Sequence, residues 1–398
     1  MSRVARAGHT KNRVADRLPE MDWPLLVCVL LLLGFGLVMV ASASMSIADR
    51  GFGDPFHFVA RHGLAMTLAL VAGIVVCAVP VRWWEQSGTL LFFLGIALLV
   101  AVLVPGVGRT VNGATRWIPL GPLNIQGSEL MKFFAVIYVA GYLVRRQEEV
   151  ANRLSGFLKP MILMVIASTL IMAEPDFGTT AVLLATVLGM LFLGGVQALH
   201  FLALFGMVAA AGAALVVLEP YRLKRVTSFL KPFDDPFDTG FQLSQALIAF
   251  GRGEWLGAGL GNGIQKQYFL PEAHTDFIMA VVGEELGLAG TLVVIGAFAF
   301  IVWRAFSIGA RANRGGWCFG AFVAHGLGLG IALQALTNIG VNVGLLPTKG
   351  LTLPFMSYGS NSIIVACMTV GLLLRLDLEA RRLGDEPVAT GGPEWARA

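Results

Sequence analysis

The chain has 398 residues, of which 56% are hydrophobic and only 14% charged, and its mean hydropathy is +0.74. Soluble chains carry about 25% charged residues, so an ordinary soluble fold is excluded. The formal net charge of +4 says little by itself, because in a membrane protein the side each charge faces is what matters.

The first 22 residues are polar and basic (Arg3, Arg6, Lys11, Arg13, Arg17). The apolar run that follows, from Pro24 to about Met45, is too long for the core of a signal peptide and reads as a retained first span. Further runs of spanning length lie near 56–79, 88–104, 127–144, 159–173, 177–194, 197–218, 276–303, 316–340 and 359–376. The expected fold is therefore an all-α polytopic membrane protein of about ten transmembrane helices. Residues 1–22 form a cytoplasmic tail, 23–380 the transmembrane domain, and 381–398 a disordered cytoplasmic tail.

Orientation follows from the basic residues of the short loops. With the N-terminus inside, Arg82, Arg145, Arg146, Arg153, Lys159, Arg304, Arg311 and Arg314 all face the cytoplasm, as do Arg375, Arg381 and Arg382. The even number of spans puts the C-terminus inside too. On the outer face, segments 105–126, 219–275 and 341–358 exceed simple turns, and long loops tend to carry function. Within the large loop between spans seven and eight, 219–275, the spacing of Phe241, Leu243, Leu247, Ile248 and Phe250 predicts an amphipathic helix on the membrane or over the bundle.

Several polar groups stand out against this background. In Leu270-Pro271-Glu272-Ala273-His274-Thr275-Asp276-Phe277, Pro271 ends what precedes it and Thr275 is placed to cap a helix starting at Asp276. The helix dipole would then favour an ionised Asp276, which is either a cap or a general base. Glu272, His274 and Lys266 crowd the same approach. Glu284 and Glu285 would lie within the hydrocarbon slab if that helix were straight, so each needs a partner or a wet cavity. Ser128, Glu129 and Lys132 share one helix face at the outer start of the fourth span. They make either an ion pair worth a few tenths of a kcal/mol or a site for an anionic headgroup. Arg116 can hold a phosphate with two parallel hydrogen bonds, Trp117 is placed as an interfacial anchor, and Lys349 is a further phosphate candidate. The glycine run 257–263 follows no βαβ unit and reads as a tight turn rather than a nucleotide loop, and no nucleic-acid partner is expected. The four cysteines form no CxxC pair and the six histidines no HxxxH or HExxH spacing, so neither disulfides nor a histidine metal centre is expected.

Four stretches together carry a family resemblance: Arg116-Trp117-Ile118 with Gln126 to Lys132; Glu174-Pro175-Asp176-Phe177-Gly178-Thr179; Gly259 to Leu286; and Gly344 to Gly359. Over residues 20–380 the chain resembles the SEDS family (shape, elongation, division and sporulation), the polytopic peptidoglycan glycosyltransferases, and Lys349 in its Pro-Thr-Lys-Gly setting resembles the division and sporulation branch. Two departures are local: Gly127 stands where the family usually has proline, and Gly359-Ser360-Asn361-Ser362 where it usually has Gly-Gly-Ser-Ser. The resemblance implies polymerisation of lipid II on the outer face of the cytoplasmic (inner) membrane, at the division septum. Asp276 would be the base and undecaprenyl pyrophosphate the leaving group. Arg116, Glu129, Lys132, Lys266, His274 and Lys349 would bind substrate or pyrophosphate, with Asp176, Glu284 and Ser357 in support. A divalent cation, magnesium or manganese, suits the pyrophosphate, although the sequence does not place its ligands. The implied partners are lipid II, the nascent glycan strand, a class B penicillin-binding transpeptidase, other divisome membrane proteins and the lipid bilayer. A transporter flipping the lipid-linked precursor would equally need many spans and buried acids.

Overall fold

The computed structural model describes residues 21–385, apart from 112, 121–122, 219–222, 224–228, 230, 235–239, 268 and 348–349. Long helices dominate it. They are α1 (Trp23–Phe52), α2 (His57–Ala78), α3 (Val81–Leu103), α4 (Gly127–Arg145), a short α5 (Gln147–Asn152), α6 (Leu154–Ala173), α7 (Phe177–Leu193), α8 (Ala198–Val217), α9 (Phe241–Gly253), α10 (Ile278–Arg314), α11 (Cys318–Asn342) and α12 (Ser360–Asp385). Among the described residues, seven of these (α1, α2, α3, α4, α6, α10 and α11) are long and apolar enough to cross a membrane. The helix α12 runs to Asp385, past the boundary expected at 380.

The all-α expectation fails in one place. Residues 109–126, read as a loop, fold into a three-stranded antiparallel sheet of β1 (Arg109–Val111), β2 (Ala114–Leu120) and β3 (Leu123–Gln126) in the order β1-β2-β3. The register sets Trp117 opposite Gln126 and Ile118 opposite Ile125. Gly113 takes the positive φ (78°) that the first hairpin turn needs. The sheet feeds directly into α4, whose side chains are almost all buried.

The amphipathic helix expected near 241–250 is α9. It lays Leu243, Ser244, Ala246 and Ala249 against the first turns of α10. Contact is close because a Cβ on Gly253 would lie 1.8 Å from the Gly283 carbonyl oxygen.

The helix α10 is not straight. At Gly287 (φ 64°, ψ −160°) it breaks, and the freed amides of Leu288 and Ala289 donate to the carbonyls of Glu254 and Trp255. The segment before the break, including Glu284 and Glu285, is buried under α9 and residues 253–266 instead of facing lipid. Glu284 accepts from Arg252 and from the backbone N–H groups of Ile264 and Gln265. Glu285 accepts from Ser42, Lys266 and the amide of Gly261. These carboxylates pin residues 252–266 to the bundle. Glu284, expected to face a partner or a wet cavity, is buried against Arg252 and the backbone of residues 264–265.

At the opposite end of the bundle Asp22 caps α1 and pairs with Arg304, Asp377 pairs with Arg311 and Arg381, and Arg375 pairs with Glu379. Glu379 also accepts the Val81 N–H at the α2–α3 corner.

Candidate active site

Segments far apart in sequence meet at the other end. They are the start of α2, the sheet, the start of α4, the 174–176 turn, the 271–277 turns and the 350–362 segment leading into α12. Between them lies a cavity of about 950 Å³ whose lining includes Arg61, Arg109, Arg116, Glu129, Asp176, Glu272, His274 and Asp276. Three guanidinium groups and four carboxylates thus face one polar space.

Asp276 sits just before α10. Its backbone carbonyl accepts hydrogen bonds from Asn338 (2.8 Å) and Asn342 (2.9 Å). Its carboxylate lies against Gly350, where a Cβ would come within 3.2 Å of Oδ2. The expected helix cap is not formed. The helix begins at Ile278 behind Phe277, and the Thr275 hydroxyl donates instead to Glu272. The N-cap position falls on Phe277, two residues past Thr275, and it makes no side-chain cap hydrogen bond. Nor does the helix dipole dominate the ionisation of Asp276. Burial, with the Glu272 carboxylate second, pushes its carboxyl up to about 7; Arg116 pulls it down and Asp176 pushes it up. A carboxyl in that range is a matched general base near neutral pH.

His274 is held neutral by burial, which lowers its pKa against the opposing pull of Glu272. Its ring packs against Phe58 and Tyr358, and its carbonyl accepts the Tyr358 N–H at 2.9 Å. The Tyr358 hydroxyl bonds to Arg61, and burial raises its pKa.

Arg116 bridges the sheet to the 174–176 turn, its Nε donating to the Glu174 carbonyl (3.0 Å) and its Nη2 to that of Pro175 (2.5 Å). Asp176 caps α7, accepting from the backbone and the hydroxyl of Thr179. Glu174 is fully buried, and neither carboxyl oxygen has a hydrogen-bond partner among the described residues. Burial, with Asp176 second and Arg116 opposing, raises it to about 8.

Lys132 lies below this space. Its Nζ donates to Glu129 (2.9 Å) and Gln334 (2.7 Å), and it lines a smaller, mainly apolar cavity of about 60 Å³ that shares Glu129 with the large one. Ser357 is buried, its hydroxyl accepting the Leu353 N–H at 2.8 Å, which shapes the 353–357 turn. Lys266 does not reach the site, although eight residues separate it from His274. It is 4% exposed and committed to Glu285 and Ser42. Lys349 lies outside the described residues.

Sequence reasoning passed over Arg61, Tyr358, Asn338, Asn342 and Gln334 as site residues, and treated Glu174 only as part of a stretch that carries the family resemblance. Arg61 carried a usable signal, since an arginine inside an apolar run must have a polar destination.

The chain is similar to known proteins in sequence and in fold. A family model described as a cell cycle protein, covering FtsW, RodA and SpoVE, matches residues 23–382. The probable peptidoglycan glycosyltransferase FtsW of Allochromatium vinosum is 60% identical over 97% of this chain and 96% of its own length. The protein of the same name from Nitrosococcus halophilus is 52% identical over 95% and 97%. Among solved structures, a chain of a peptidoglycan synthase complex that coordinates polymerization and crosslinking aligns with TM-score 0.74 and 27% identity, covering 90% of this chain and 98% of that one. The rod shape determining protein RodA of Thermus thermophilus aligns with TM-score 0.67 and 26% identity over 90% and 96%. Matched along nearly its whole length, the chain belongs to the FtsW/RodA/SpoVE family of cell cycle proteins.

Proposed function

We propose that this chain is a peptidoglycan glycosyltransferase that polymerises lipid II during cell division, with Asp276 as its general base. The observation that carries the reading is the joining, in one cavity, of a carboxyl tuned to about 7 with Arg61, Arg109 and Arg116. Sugar hydroxyls need a base at neutral pH, and a departing diphosphate needs preorganised positive charge. In the reaction the Asp276 carboxylate takes the proton of an acceptor sugar 4-hydroxyl while that oxygen bonds the anomeric carbon of the donor. The bond from that carbon to the diphosphate oxygen breaks, and its electron pair leaves on undecaprenyl pyrophosphate. The diphosphate leaves readily, so the paired carboxylic acids of a glycosidase are not required. Arg116 is the cation best fixed to meet it, Glu129 and His274 line the space, and Lys132 adds positive charge from below.

Among the described residues no group of three or more His, Cys, Asp or Glu could hold a metal ion. A magnesium or manganese ion, when bound, would supply positive charge to the diphosphate oxygens. We place ten spans in the cytoplasmic membrane with both ends inside. The cavity then opens outward at the septum, beside a class B penicillin-binding transpeptidase and other divisome proteins.

The test is to supply lipid II to the purified chain, alone and with a cognate transpeptidase, and to resolve the products by length. Glycan strands are expected. Transfer of labelled lipid II across vesicles without lengthening would establish a flippase instead.

A further inference from the structure

We propose that three side-chain amides on one face of α11, Gln334, Asn338 and Asn342, act as a positioning ladder that fixes the base Asp276 relative to the cation Lys132. The proposal rests on the assignment of Asp276 as the base. The three residues are spaced four apart, so they stack on one side of the helix, and eight residues of helix span about 12 Å.

Each rung ends on the site. Asn342 donates to the Asp276 carbonyl (2.9 Å), and its own Oδ1 accepts the Ala280 N–H (3.0 Å) in the first turn of α10. Asn338 donates to the same Asp276 carbonyl (2.8 Å) and to the Leu351 carbonyl (2.6 Å). Gln334 donates to the Thr352 carbonyl (3.1 Å) and accepts from Lys132 (2.7 Å). Asn338 and Gln334 thereby fix residues 351–352, next to Gly350 on which the Asp276 carboxylate rests.

Three amides on one span, none more than 7% exposed, are costly unless every one is bonded. Here they are bonded to the base residue itself, to its backing strand and to the cation. With two donors on its carbonyl, residue 276 cannot swing within its loop. Misplacement of a reacting group by about 1 Å can cost about a hundredfold in rate, so holding it is a catalytic matter as well as a packing one.

The test uses two near-isosteric variants of the full chain, Asn338→Leu and Gln334→Met, checked for folding by size exclusion and thermal melting in detergent. Lipid II polymerisation is then followed as kcat and KM across pH. Both variants should lose about tenfold or more in kcat with KM within about threefold, as expected when reacting groups are misplaced. Only Asn338→Leu should also move the acidic limb to lower pH, because a loosened Asp276 gains water. A packing role alone would lower melting temperature and leave kcat and the limb of the folded protein unchanged. Native kcat in both folded variants overturns the ladder, and if Asn338→Leu does not fold, Gln334→Met decides alone. Polymer from the native chain but not from Asp276→Asn upholds the base whatever the ladder variants do. No polymer from the native chain defeats both readings.

Discussion

Glu272→Gln should shift the acidic limb of the pH–rate profile in a direction and by an amount that follow from the site. Asp276 titrates at about 7, with burial the first cause and the Glu272 carboxylate the second. Removing that negative charge lowers the Asp276 pKa. Glu272 is exposed, so screening limits the effect to about half a pH unit. The ionised fraction of Asp276 at about pH 6 then rises from roughly 9% to roughly 24%, a gain of about 2.5-fold in kcat/KM, while at about pH 8 the gain is negligible. The profile of kcat/KM is the one to record, because it reports the free enzyme. Arg116→Gln should move the limb the other way, since Arg116 lowers the same pKa. A limb that stays put in Glu272→Gln, or a native limb near the usual carboxylate value, refutes the electrostatic account of the base.

Other consequences concern stability and fit. Glu174 is fully buried and titrates at about 8. Its raised pKa penalises folding progressively between about pH 4.5 and pH 8, by about 3 kcal/mol at neutral pH. Glu174→Gln should flatten the melting temperature across that window, and parallel curves for variant and native protein would contradict this. Lys266→Met leaves Glu285 buried without its cation and should cost about 3–5 kcal/mol. Whatever remains folded should keep the native acidic limb, as a residue outside the cavity must. Gly350→Ala places a methyl group 3.2 Å from Asp276 Oδ2 and should lower kcat more than melting temperature. An unchanged kcat would show that the carboxylate does not rest there during turnover.

The long helices were legible because unbroken apolar runs of spanning length have few other uses. The amphipathic helix α9 was legible for the related reason that its apolar residues recur at helical spacing. The sheet was not, since strands of three to seven residues interrupted by Gly113 and Pro119 give a weak periodic signal. Asp276 could be singled out from its sequence setting, yet its ionisation could not, because burial is a property of the folded cavity. Lys266 shows the opposite error, where nearness in sequence was taken for nearness in space. Lys266 is held instead by Glu285 and by Ser42 of α1, which ties its loop to that helix. The amide stripe of α11 was visible as four-residue spacing.

The central claim, that one carboxylate does the proton transfer, is tested most directly by Asp276→Asn, which keeps shape and removes the base. With lipid II saturating at about pH 8, the account predicts a loss of about 10²–10⁴-fold in glycan polymerisation by a variant that melts like the native chain. Polymerisation by that variant within about twofold of native would contradict it.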